Sequence, residues 1–149
     1  GYELEAYELE GRFNLFQDAV SALGLLAEIE KERDQDVWEY KLGPIYERRL
    51  GGPWRTRLNL FAEQLHGSDV NDDDGTEYSG AAQIAYIADD ELAPALEYYG
   101  ERNNHGAGPV LLGEFDLAGQ ELEWEAGVIF GLTDHSDDVT YRWQLEWEF

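Results

Sequence analysis

The chain has 149 residues, a formal net charge of −23 and a sequence pI near 4.1, enough for a single domain, 1–149, around one core. So acidic a chain is repelled by nucleic acid and by anionic membrane surfaces, and without cysteine it has neither a disulfide framework nor a thiolate metal site. No apolar run reaches the ~18–20 residues of a spanning helix, and five Trp, nine Tyr and six Phe exclude a disordered chain.

Apolar and polar residues alternate with period two along most of the chain, which marks strands with one face of each kind. Tyr7, Leu9, Phe13 and Leu15 oppose Glu8, Glu10, Arg12 and Asn14; the step from Ala6 to Tyr7 breaks parity and reads as a bulge. Leu23, Leu25, Ala27 and Ile29 alternate with Glu28 and Glu30. Trp38, Tyr40, Leu42, Pro44 and Tyr46 alternate with Glu39, Lys41 and Glu47. Trp54, Leu58, Leu60 and Ala62 alternate with Arg55, Arg57, Asn59 and Glu63, while Phe61 breaks the pattern. Weaker versions cover residues 78–88, 92–103 and 109–118; 92–99 also fits a helix, and Val110 is a second parity error. Leu122, Trp124, Ala126, Val128, Phe130 and Leu132 share a face opposite Glu121, Glu123 and Glu125. The last nine residues are the clearest: Tyr141, Trp143, Leu145, Trp147 and Phe149 alternate with Arg142, Gln144, Glu146 and Glu148. Connections fall at 17–18, 34–36, 51–53, 66–76, 89–91, 103–108, 118–120 and 133–138, short turns alternating with longer polar loops.

Period alone does not say which face is wet. A soluble barrel buries its apolar face, whereas a membrane barrel turns it to lipid and lines its lumen with the polar one. Three features favour the membrane: strands well beyond the ~5–6 residues usual in soluble sheets, aromatics gathered near strand ends, and the alternation of short and long connections. The expected fold is therefore all-β, an antiparallel up-and-down transmembrane β-barrel with about nine strands visible.

The C-terminal strand carries a resemblance. Phe149 as final residue, preceded by Trp147, Leu145, Trp143 and Tyr141, resembles the terminal strand of Gram-negative outer-membrane β-barrel proteins. Arg142, Trp147 and Phe149 fit that class's signal; Gln144 stands where Gly is common. Residues 111–149, with Gly131-Leu132-Thr133-Asp134 before the last strand, also look like the C-terminal third of poorly characterised proteins labelled outer-membrane transporters. The resemblance implies location in the bacterial outer membrane, membrane lipids as surroundings, recognition of the C-terminal strand by the barrel-assembly machinery, and a C-terminus on the periplasmic rim. Counting back through nine strands then puts the N-terminus on the outer rim. Barrels of this class have even strand numbers, and residue 1 is not Met, so strands upstream of Gly1 and a total of about ten to twelve are expected.

The polar face is where chemistry would sit. Glu28, Glu30, Glu39, Arg55, Arg57, Glu63, Glu123, Glu125, Arg142 and Glu146 are the expected lumen-lining residues. Their carboxylate excess suits a small passive channel or transporter that prefers cations. Arg–Glu pairs that plug the interior of a structural or adhesive membrane barrel are the competing reading, and a soluble lipocalin-like barrel with an apolar ligand cavity is a third. The acidic stretch Asp69, Asp72, Asp73 and Asp74 has the oxygen donors for loop-bound Ca²⁺ or Mg²⁺ but not the EF-hand register; no other cofactor is expected. Ser68 near His66, and Ser136 beside His135, are the only serine–histidine neighbours, and HExxH, GxSxG and phosphate-binding glycine loops are absent. The expectation is a protein that is not an enzyme.

Overall fold

The computed structural model describes residues 6–70, 75–89, 91–117 and 120–147. Every regular element among them is a strand: β1 (Ala6–Gln17), β2 (Ser21–Glu32), β3 (Trp38–Gly51), β4 (Trp54–His66), β5 (Glu77–Tyr86), β6 (Ala93–Glu101), β7 (Asn104–Leu117), β8 (Gln120–Gly131) and β9 (Val139–Trp147). Each pairs antiparallel with its chain neighbour, giving one up-and-down sheet in sequence order. Residues 92–99, open to a helical reading by period, lie mostly in β6, whose alternation buries Ala93, Ala95 and Glu97 and exposes Pro94, Leu96 and Tyr98.

Strand neighbours are strongly staggered. A row of paired residues that starts at Phe16, near the end of β1, passes through Leu23, Tyr46, Leu58, Ala82, Tyr98, Ala107 and Phe130 and ends at Val139, the start of β9. Strand tilt of this kind is what rolls a sheet toward a barrel. The roll is visible in the side chains: Arg57 on β4 reaches Glu125 on β8, with three strands between them in the sheet. That contact is made across the inside of the curl. The sheet is nevertheless not closed; β1 and β9 are its two edges, and both run in the same direction.

The two faces differ in chemistry. The outer face carries large apolar side chains left exposed, among them Leu9, Leu42, Leu60, Leu96 and Leu111 within the strands. Tyr7, Trp38, Tyr40, Tyr78, Tyr98 and Tyr141 lie toward the ends that face the 33–37 and 67–76 connections. Phe16, Trp54, Tyr86 and Phe115 lie toward the other ends. Trp54 meets Tyr86 edge-on at 5.1 Å between ring centroids, and Lys31 Nζ sits 5.6 Å over Trp38. The inner face is mostly polar along β1–β4, with Leu26, Ile45 and Phe61 among its charged residues, and carries a small apolar core of Ala85, Ala93, Ala95, Val110, Leu112 and Ile129 on β5–β8.

Several local expectations change. The bulge of β1 lies between Asn14 and Phe16 rather than at Ala6–Tyr7, where pairing with β2 is regular. It has a simple cause: Leu15 and Phe16 are consecutive apolar residues, and the extra residue lets both remain on the outer face, where they are exposed. The parity errors at Phe61 and Val110 are inward-facing positions. Val110 belongs to the small core. Phe61 lies over Gly43, where an added Cβ would come within 2.7 Å of the phenyl ring and 1.9 Å of the Leu60 carbonyl oxygen. The connection expected at 103–108 is instead a two-residue turn, 102–103, with Arg102 at φ +43°. Residues 104–108 belong to β7, and the β5–β6 connection is the longer one, 87–92. The expected turn at 118–120 falls partly outside the described residues.

Candidate functional site: the charged inner face

Inner-face positions follow from register. Glu47, Arg57, Gln83 and Glu97 are successive partners across β3, β4, β5 and β6, so their side chains project to one side in a single cross-strand row. Glu125 and Gln144 are partners on β8 and β9, and Arg142 is two residues before Gln144 on the same face. The curl brings the two groups together. Arg57 donates from Nε to Glu47 Oε2 at 2.8 Å and from Nη1 to Glu125 Oε1 at 3.1 Å. Arg142 donates to Glu97, to Gln144 Oε1 at 3.1 Å and, more weakly, to Glu125 Oε2 at 3.5 Å. Gln83 Nε2 donates to the second oxygen of Glu97 at 2.9 Å.

Glu125 is thus held between two guanidinium groups, one on each carboxylate oxygen. Among the described residues Glu97 is the most enclosed carboxylate, 4% exposed, and has both oxygens occupied. A charge this enclosed persists only with partners of this kind. Arg55 lies beside the network, 3.8 Å from Glu47, with its Nε otherwise without a hydrogen-bond partner.

A second cluster lies along β2–β5. Lys41 Nζ is 3.5 Å from Glu63 and 3.9 Å from Glu28, and Ser79 donates to Glu63 at 2.7 Å. Glu30 and Glu39 are cross-strand partners further along the same face. A cavity of about 630 Å³ opens between these walls. Its lining includes Glu10, Arg12 and Asn14 of β1, the Glu28–Lys41 wall, and Arg57, Glu97, Glu125 and Arg142. A void of about 20 Å³ adjoins Arg57, Glu123 and Glu125, which border both spaces.

The expected lumen residues therefore fall into distinct settings. Arg57, Glu125 and Arg142 meet directly; Arg55 and Glu123 adjoin them; Glu28 and Glu63 share Lys41; Glu30 and Glu39 pair with each other in register. The Glu146 side chain lies outside the described residues. Gln83 was not singled out from sequence, because it sits in an alanine-rich stretch with no charge. Only its register between Arg57 and Glu97 marks it.

The connections at the end of the sheet nearer 33–37 are tied in pairs. Ser68 donates to Asp36 Oδ2 from Oγ at 2.9 Å and from its amide at 3.2 Å, and the Asp36 amide donates to Asp69 Oδ2 at 2.7 Å. These bonds hold the Asp36 carboxyl below its ordinary value of 3.8, the Ser68 hydroxyl first and its amide second, with Lys31 adding to them against slight desolvation. Thr133 donates to the Asn103 carbonyl, and Ser136 Oγ both accepts from the His105 amide at 2.9 Å and donates to its carbonyl at 2.8 Å. Ser68 and Ser136 are thereby committed to loop clasps, and neither is hydrogen-bonded to the histidine beside it in sequence. Asp69 belongs to the first clasp; Asp72, Asp73 and Asp74 lie outside the described residues. Among the described residues no group of three or more His, Asp or Glu side chains is placed to hold a metal ion.

No family model, curated protein or solved structure matches this chain.

Proposed function

We propose that the chain forms a transmembrane β-barrel of the bacterial outer-membrane type, acting as a narrow passive conduit whose acidic interior favours cations, with no catalytic role. The observation that carries this reading is the inverted distribution of side chains. Ion pairs and enclosed carboxylates occupy the inside of the curl, while aliphatic residues flanked at both strand ends by Tyr, Trp and Phe occupy the outside. Water-soluble monomers rarely leave so extensive an apolar face uncovered, and an aliphatic belt between aromatic girdles is the habit of membrane barrels. The same distribution speaks against a soluble lipocalin-like barrel, which would keep its apolar face inside. Carboxylates outnumber cations along the inner face, and such an excess concentrates cations.

One observation favours a second reading. The Arg57–Glu125 and Arg142–Glu97 pairs cross the interior, as they would in a structural or adhesive barrel with a plugged lumen. In either case lipid is the surrounding partner, and the exposed alternation of β9 is the segment an outer-membrane assembly machinery would read. The test is purification with and without detergent, followed by gel mobility before and after boiling. A detergent requirement with a mobility shift on boiling is expected. A monomer soluble in plain buffer that shows no shift would overturn the proposal. Cation-selective conductance in planar bilayers would then separate the conduit from the plugged barrel.

A further inference from the structure

We propose that Glu125, clamped between Arg57 and Arg142, is the constriction of the conduit and sets both its conductance and its charge selectivity. The inference rests on the membrane-barrel reading and names the residues that regulate passage. Three observations carry it. The bridge is the place where side chains from opposite walls, β4 on one side and β8 and β9 on the other, meet across the interior. Arg57 and Glu125 also border two spaces, the 630 Å³ cavity and a void of about 20 Å³. Finally, the charges at this level do not cancel. Arg55, Arg57 and Arg142 face Glu47, Glu97, Glu123 and Glu125, which leaves one carboxylate in excess, so the narrowest point retains a preference for cations.

Each member has a distinct effect on an ion crossing this level. Glu125 is the anchor that draws both guanidinium groups to the centre. Without its charge, Arg57 keeps Glu47 and Arg142 keeps Glu97, and both can retract to their own walls. Arg142 masks Glu97 and Glu125. Without it, Glu97 is left with Gln83 and Glu125 with Arg57, and the carboxylate excess facing the passage rises by one charge.

The experiment is single-channel recording in planar bilayers under a KCl gradient, on wild type, Glu125→Gln, Arg142→Gln and Arg142→Lys, each first checked for the boiling-dependent mobility shift. Glu125→Gln is expected to raise conductance several-fold while moving the reversal potential toward zero. Arg142→Gln is expected to raise conductance and move the reversal potential further toward that of a purely cation-selective pore. Arg142→Lys, which keeps the charge, should stay near wild-type selectivity and shows that any change in Arg142→Gln is not a folding defect. A silent wild type beside a conducting Arg142→Gln also supports the inference, with the bridge acting as a full closure. Folded Gln variants that reproduce wild-type conductance and selectivity would overturn it, as would silence from every variant while the mobility shift persists; in both cases the membrane-barrel reading stands. A wild type that is soluble without detergent removes that reading and the inference with it.

Discussion

At the scale of single residues, the inner face is governed by close approach and by charge. Gly43 sits where β3 carries Pro44, which has no N–H to give the ladder, and the described pairing with β4 skips from Leu42 to Ile45. Phe61 fills that place from the neighbouring strand. Gly43→Ala forces its new methyl against the Leu60 carbonyl, so β3 and β4 must separate locally. The expected cost is about 2 kcal/mol, typical of overpacking, read as a lower urea midpoint in micelles with an unchanged slope. Charge acts differently at Asp36. Its carboxyl is held below 3.8 by the Ser68 bonds, so the folded state binds its proton less readily than the unfolded chain. The stabilisation is therefore present above the unfolded value and is lost as pH falls through the lower folded one. Amide protection of Ser68 should drop as pH falls below 3.8 in the wild type and be low and flat with pH in Asp36→Ala. Equal protection in both at neutral pH would remove the clasp from the account. The network around Glu125 could not be read residue by residue from sequence. Arg57 and Glu125 are 68 positions apart, and only their shared parity hinted that they point the same way.

At the scale of elements, alternation was enough to locate all nine strands and to assign most side chains to a face, because a half-polar strand leaves a period-two trace whichever face is wet. It failed where glycine was ambiguous. The stretch Asn103-Asn104-His105-Gly106-Ala107-Gly108 has the composition of a loop, yet most of it is strand. At Gly108 an added Cβ would lie 1.9 Å from the Val128 carbonyl oxygen, so the glycine serves close approach of β7 to β8 rather than a turn. Phe61 and Val110 were misread as errors because an inner face need not be polar throughout. Whether the outer face meets lipid can be tested on one strand. Leu60 is mid-strand in β4 and 65% exposed. If it faces hydrocarbon, Leu60→Arg should destabilise the folded state in bilayers by about 2–4 kcal/mol. At a water-exposed position the same change should stay within about 0.5 kcal/mol. Reversible unfolding from lipid vesicles measures the difference.

At the scale of the whole molecule, the sheet rolls without closing. With the nine strands of the described residues in up-and-down order, β1 and β9 run the same way, so a seam between them would be parallel, unlike the eight antiparallel pairings that build the sheet. The inner residues of β1, Glu10, Arg12 and Asn14, are exposed, whereas their counterparts on β2–β4 are largely enclosed by neighbours on both sides. What surrounds the roll is directly measurable, because the chain has no cysteine. Single cysteines at Leu60 on the outer face and Gln83 on the inner face can each carry a polarity-sensitive fluorophore in reconstituted vesicles. The expected result is quenching of the Leu60 label by brominated acyl chains and not by aqueous iodide, with the Gln83 label insensitive to the acyl chains. A Leu60 label quenched by iodide and untouched by brominated lipid would contradict the account.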